Sequence, residues 1–139
     1  MGQLDGRCMC GAITYSSDAD PLFTAICHCK NCQRQTGTAF SLVVGVPVAA
    51  LDVQGELSDH VTVGEDHGHS VHRRFCGTCG SPIFSVSEGN TDIAIIKAGT
   101  LDDTSWLKPQ LEVWGESAQD WVEATQARPR LPRGVQQSA

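Results

Sequence analysis

Apolar residues along this chain come in short bursts separated by glycine, proline and small polar residues. Ala12–Tyr15, Leu22–Ile26, Phe40–Val46, Ser70–Phe75, Ile83–Val86, Asp92–Lys97 and Gln110–Trp114 each have the length of a strand. They are rich in Val, Ile, Phe and Thr, whose side chains fit a pleated, half-buried surface. No stretch of a dozen residues repeats its apolar positions with the 3.6-residue period of an amphipathic helix. Two short helical turns are predicted, one after Asp102 and one over Ser117–Val122. The pattern predicts a mainly β domain of short strands with few helical turns.

The last residues differ. From Arg128 the sequence reads RPRLPRGVQQSA, in which Pro129 and Pro132 alternate with Arg128, Arg130 and Arg133. Prolines so placed disfavour a helix, and low hydrophobicity favours a flexible end. The expected organisation is therefore one domain over residues 1–125 and a flexible Arg/Pro-containing tail over 126–139. At 139 residues the chain has the size of one domain. Its net charge of −6 argues against a nucleic-acid partner. The longest apolar run, Leu42–Leu51, is about half a membrane span and contains Pro47. The opening residues MGQLDGRCMCG lack the apolar core of a signal peptide, so the expectation is a cytoplasmic protein without a membrane anchor.

The seven cysteines change the picture most, because they fall into three tight clusters. These are Cys8-Met9-Cys10, Cys27-His28-Cys29-Lys30-Asn31-Cys32 and Cys76-Gly77-Thr78-Cys79-Gly80. An odd number of clustered thiols in a reducing compartment points to metal rather than disulfides. On an extended segment C-x-C sends both sulfurs to one face. A C-x-x-C turn can aim two sulfurs at one point, and Gly80 just after it can take a positive φ at no steric cost. Cys8, Cys10, Cys76 and Cys79 could close a four-sulfur structural site. Cys27, Cys29 and Cys32 could then form a second site with its fourth position open. Spacing permits this partition without requiring it: the triplet could recruit a histidine, or lend a pair to another cluster.

Three ordered motifs carry a resemblance. Gly6-Arg7-Cys8-Met9-Cys10-Gly11 resembles the G-x-C-x-C-G opening of the glutathione-dependent formaldehyde-activating (GFA, CENP-V/GFA domain) family. Cys27-His28-Cys29-Lys30-Asn31-Cys32-Gln33-Arg34 resembles its C-H-C-x-x-C-x-[RK] segment, and Phe75-Cys76-Gly77-Thr78-Cys79-Gly80-Ser81 its F-C-x-x-C-G-[ST] signature. Ala98-Gly99-Thr100-Leu101-Asp102 and Trp114 fit its closing part. The resemblance implies a zinc-containing, mainly β fold of the β-tent type. It also implies a structural zinc on Cys8, Cys10, Cys76 and Cys79 and a second zinc on Cys27, Cys29 and Cys32. The implied activity is that of a carbon–sulfur lyase on a thiol–aldehyde adduct such as S-hydroxymethylglutathione, with glutathione as co-substrate. Gln33 stands where many relatives carry Arg.

The alkoxide formed when a thiol adds to an aldehyde needs a proton or positive charge close by. His28 and Arg34 are the catalytic candidates nearest in sequence, and Lys30 and Arg34 the candidates for holding the co-substrate. Their bland readings are packing for His28, which alternation points away from the sulfurs, and simple charge neutralisation for Arg34. His67, His69 and His72 with Glu65 and Asp66 resemble a loose metal cluster but read as a solvated polar loop. Trp106, Trp114 and Trp121 read as core, and Lys97 as a partly covered surface lysine. Two rivals use the same cysteines. A zinc-stapled, non-catalytic binding module would need no open site. A rubredoxin-like iron centre on Cys29, Cys32, Cys76 and Cys79 would leave Cys8, Cys10 and Cys27 without a role.

Overall fold

The computed structural model describes residues 3–64 and 67–135. Among the described residues ten strands form two sheets. The smaller orders β1 (Leu4–Arg7), β2 (Thr14–Ser17) and β5 (Leu51–Gln54) as β1-β2-β5, all antiparallel. The larger uses β3 (Phe23–Cys27), β4 (Ser41–Pro47), β6 (Leu57–Val63), β7 (Ser70–Cys76), β8 (Pro82–Ser87), β9 (Asn90–Lys97) and β10 (Leu111–Val113). Their order is β10-β3-β4-β9-β8-β7-β6, antiparallel throughout except that β10 runs parallel to β3.

All seven predicted strands occur, shifted at their ends by no more than two residues. Three further strands form that the apolar pattern did not mark: β1, β5 and β6 are short or polar and draw on pairing with a neighbour. One helix, α1 (Lys30–Thr36), forms where the sequence pattern marks no element; it buries only Cys32 and Gln33, so it carries no apolar stripe. After Asp102 the chain makes a single turn closed by the Leu107 N–H on the Thr104 carbonyl at 3.2 Å. The second predicted turn is a 3-10 helix that starts earlier than expected, at Gly115–Ser117.

The core lies between the two sheets, where Leu4, Ile13 and Tyr15 meet Val44, Val46, Phe84, Ala94 and Ile96. Side chains alternate along a strand, so aligned residues on neighbouring strands share a face. Val44, Ile96 and Phe84 are aligned in this way and fill the core. The opposite face of the large sheet carries two rows in register: Leu111, Ala25, Val43 and Lys97, and then Phe23, Gly45, Ile95, Ser85 and Arg73. Gly45 is required there, because a Cβ would stand 2.2 Å from the Phe23 ring that lies across it.

Within the tail expected to be flexible, residues 128–133 lie along the free edge of β10. Backbone N–H groups of Glu112 and Leu131 bond to the carbonyls of Pro129 and Glu112, and Gly115 bonds to Leu131. The prolines prevent a helix, as expected, but their carbonyls still accept from a strand edge. Arg128 and Arg130 are drawn in by one buried carboxylate, Glu112, at 2.9 and 2.8 Å. Arg133 lies over the Trp114 ring at 4.6 Å.

Candidate metal centres

Two cysteine groups form. In the first, the turn after β1 brings Cys8 and Cys10 against Cys76, the last residue of β7, and Cys79 in the turn before β8, with all four sulfurs within 4.8 Å of one another. The Sγ separations are 3.6 Å for Cys8 to Cys10 and 3.8 Å for Cys10 to Cys76. Four ligands about 2.3 Å from a common centre in tetrahedral directions stand roughly 3.8 Å apart, so the set fits an ion. Gly11 and Gly80, each with φ of 82°, turn the chain back after each pair. The Ile13 N–H donates to Cys8 Sγ at 3.2 Å, and the Ser81 hydroxyl lies 3.2 Å from Cys79 Sγ. The Ser81 hydroxyl and backbone hold Cys79 down to about 5. Burial works against Cys8, but the Ile13 amide and the neighbouring sulfurs outweigh it and lower that thiol too. Cys10 goes the other way: against the Ala12 amide, burial and the neighbouring sulfurs push it up to about 11. Two of the four thiols are thus held down before any ion arrives, and a cation would favour the charged form of the rest.

The second group is Cys27, Cys29 and Cys32, again with sulfurs within 4.8 Å of one another. Cys27 ends β3 and Cys29 caps α1, so strand alternation puts both on one side and His28 on the other. The Cys29 sulfur accepts from the Cys32 N–H at 3.3 Å, which brings the first helical turn under the pair. The Cys27 and Cys29 thiols donate to Cys32, and with the charges of Lys97 and Arg73 they hold it down to about 2 despite burial. Cys27 is pushed up in turn by the Cys29 and Cys32 sulfurs and by burial. Only one of the three sulfurs is therefore easily charged on its own. A bound dication changes this, since it deprotonates every thiol it holds.

Positive charge reaches this triplet from residues far away in sequence. Lys97, only 5% exposed, places Nζ 4.0 Å from Cys32 Sγ and donates to Ser41 Oγ at 2.9 Å. Burial lowers its ammonium, against the pull of the charged Cys32. Arg73 is oriented by Thr62 and by Gln35, each at 2.9 Å. The expectation of a surface lysine at position 97 is thus corrected. Two clefts meet at Cys27, Cys32 and Arg73. One is a cavity of about 780 Å³ along the face of the large sheet that the described residues leave open. The other, about 220 Å³, is bordered by Lys30, Asn31, His67, Trp114 and Ser117 as well as the triplet. Trp114 is the non-glycine residue with positive φ among the described residues, at 58°.

The expected catalytic pair, His28 and Arg34, is placed on two different sides of the triplet segment. His28 is fully buried and sits behind the triplet, with Nε2 2.7 Å from Glu112 Oε1 and its ring edge-on to Phe40. Burial raises Glu112, but the bond to His28 and the charges of Arg130 and Arg128 outweigh it and hold the carboxyl below its usual range. Arg34 and Lys30 occupy i and i+4 on the exposed side of α1. Arg34 borders a separate polar cleft with Thr38 and Trp121, and of the two only Lys30 reaches the triplet's smaller cleft. Gln33 points inward instead, donating to the carbonyls of His28 at 2.6 Å and Ser117 at 3.0 Å.

The histidine cluster does not gather. His67 stacks on His69 at 5.3 Å, whereas His72 pairs with Asp59 and Glu88 at 2.8 and 2.9 Å. Glu65 and Asp66 lie outside the described residues. Of the tryptophans, Trp106 packs on the core and Trp114 borders the smaller cleft, but Trp121 is 71% exposed.

Among the described residues no helix is long and apolar enough to cross a membrane. No curated protein matches the chain. A crystal structure of a Rhodobacter sphaeroides protein, solved as a structural genomics target, shares the fold with a TM-score of 0.57 at 20% identity, covering 91% of this chain and 98% of its own. Residues 3–117, which hold both cysteine groups, match the glutathione-dependent formaldehyde-activating enzyme family, and the chain belongs to it.

Proposed function

We propose that this protein is a zinc-dependent carbon–sulfur lyase that joins a thiol to an aldehyde and cleaves the adduct, in the manner of S-hydroxymethylglutathione formation. One observation carries the reading. Three sulfurs converge where two clefts meet, beside two cations, and no carboxylate lines the described part of either cleft. Three thiolates suit zinc, which takes sulfur at about 2.3 Å and keeps an open position in catalytic sites. The four-cysteine group suits a second, closed zinc site with a structural role.

Zinc bound by the triplet would supply a thiolate from the substrate thiol at neutral pH. The chain's own residues do the rest. The smaller cleft holds the thiol's carrier, glutathione in the simplest case, with Lys30 Nζ and the Arg73 guanidinium to meet its carboxylates. In the forward direction the substrate sulfur adds to the carbonyl carbon, the carbon–sulfur bond forms and the carbonyl π pair moves onto oxygen. The proton lost by the thiol ends on that oxygen. Lys97 Nζ supplies the positive charge that the alkoxide needs before the proton arrives, and cleavage runs the same steps backwards. His28 and Glu112 act behind the site as positioning residues, fixing the backbone between Cys27 and Cys29. A cytoplasmic setting suits seven unpaired thiols.

The test is the rate at which glutathione and an aldehyde reach equilibrium with their adduct, followed with and without the zinc-loaded protein. Catalysis should disappear in Cys29→Ser and Cys32→Ser. Unchanged turnover of every adduct by both variants would refute the mechanism.

A further inference from the structure

The larger cleft is far bigger than formaldehyde requires, and its chemistry is different from that of the smaller one. Its floor is a sheet face that the described residues leave open, and Phe23, Val43, Ile93, Ile95 and Leu111 make it apolar. From Lys97 to Ile93 along β9 it extends roughly 13 Å at a strand's rise per residue. The charged side chains on its described lining are Arg73 and Lys97, both at the triplet end, in a chain whose net charge is −6. A floor this apolar in contact with water is costly to leave empty, and a surface cavity of about 780 Å³ is the size of a small-molecule site.

From this we infer that the aldehyde half of the adduct carries an extended apolar group, a straight alkyl chain or an aryl-alkyl group. It lies on the sheet face, with the reacting carbon at the Cys27–Cys32–Lys97 end. The inference rests on the lyase reading and names the substrate class of that same site. The division of labour is geometric. The thiol carrier takes the smaller polar cleft, the apolar body takes the trough, and the carbon–sulfur bond forms where the two clefts meet. Charge agrees with this arrangement, because the developing oxyanion appears at the one end of the trough that is cationic.

The experiment uses the zinc-loaded full chain and two parallel series. Glutathione adducts of formaldehyde and of straight-chain aldehydes from acetaldehyde to octanal are compared by kcat/KM, and alkanethiols of the same lengths by calorimetric affinity. Both should improve about three- to fourfold per added methylene until the chain reaches Ile93, the gain expected from burying one such group. Ile95→Asp, which sets a carboxylate midway along the trough, should flatten both slopes. A formaldehyde adduct turned over as well as octanal's, with thiol affinities independent of length, overturns the inference and leaves the lyase reading intact. Thiol affinities that climb with length while no adduct is turned over sink the lyase reading and keep the trough as an apolar ligand site. Flat series from a protein that light scattering shows to be a dimer, and that sharpen when the dimer is diluted apart, assign the trough to a second copy instead.

Discussion

The two cysteine groups use the same donor atom and nearly the same spacing, yet they are built from different materials. The four-cysteine group joins the turn after β1 to the turn before β8, across 66 residues between Cys10 and Cys76. Its supports are mostly main-chain, Ile13 N–H on Cys8 Sγ and Cys76 N–H on the Ser81 carbonyl, with one neutral side chain, the Ser81 hydroxyl, between Met9 N–H and Cys79 Sγ. The three-cysteine group comes from six consecutive residues and is supported by side chains from β7, β9 and β10. Main-chain support fixes a shape and leaves little to adjust. Side-chain support brings charges, a buried histidine–carboxylate pair and two clefts. On the function proposed, the first group would be a staple and the second a workplace, and the distinction lies in what surrounds the sulfurs, not in their number.

The sharpest way to break this comparison is to remove one sulfur from each group. If the four-cysteine group holds the structural zinc proposed for it, Cys76→Ser should abolish cooperative thermal unfolding, because such a zinc is worth about 10–16 kcal/mol. That exceeds the roughly 5–15 kcal/mol that holds a domain of ordinary stability together. Cys29→Ser should keep a cooperative transition read by circular dichroism while losing the metal of one site. Equal loss of fold in both variants would end the distinction between staple and workplace.

A smaller effect should come from the support behind the triplet. Glu112 lies 2.7 Å from His28 and binds Arg128 and Arg130, and it is 1% exposed. Glu112→Ala leaves two guanidinium groups against an emptied site and should cost about 3–5 kcal/mol, measured by denaturant unfolding. Glu112→Gln separates charge from packing. The Glu112 carboxyl is held below its ordinary value of 4.5, so its contribution is complete above that pH and lost as pH falls through the lower folded value. The stability gap between the wild type and Glu112→Gln should stay level above about pH 5 and close below it. A gap independent of pH would mean that the arginines hold the tail without help from that charge.

Much of this arrangement is legible in the sequence, and the part that is not has a common cause. The seven β-branched strands and the three cysteine motifs are local patterns, each readable within ten residues. Strand β5 is four residues long, and β6 exposes Val61 and Val63 while half-burying Ser58 and Thr62, so composition does not mark them. Helix α1 is short and buries two residues, one of them Gln33. The cations beside the triplet are the part that no local pattern marks. Lys97 sits in IAIIKAG, and alternation would have put it on one face with Ile93 and Ile95, opposite the buried Ile96. Which face meets the triplet is decided by the β4–β9 register, and no local pattern records that. Arg73 and Arg74 point to opposite faces of β7, and only the fold tells which one turns toward Cys32. The tail reads as free in sequence because Glu112, which binds its arginines, is a single acid in a strand of three residues.

The smallest effects separate cations that act at the triplet from those that are merely near it in sequence. Lys97→Met keeps the length of the side chain and removes its charge. Loss of one group that stabilises an oxyanion costs about a hundredfold in rate, so kcat should fall by that order with little change in KM for the thiol. Stability should hold or rise, because an ammonium that is 5% exposed pays for its burial and a thioether does not. A lysine present only to balance the sulfurs' charge would weaken metal retention instead and leave kcat per bound zinc unchanged. Arg34→Ala should change kcat/KM by less than about twofold and stability by under about 0.5 kcal/mol, as expected of an exposed helix residue. It lies two residues from Cys32 in sequence, whereas Lys97 lies 65 away and stands 4.0 Å from that sulfur. If Arg34→Ala proved the more damaging of the two, the triplet's charge would have to come from its own helix, and the side-chain support described for it would be wrong.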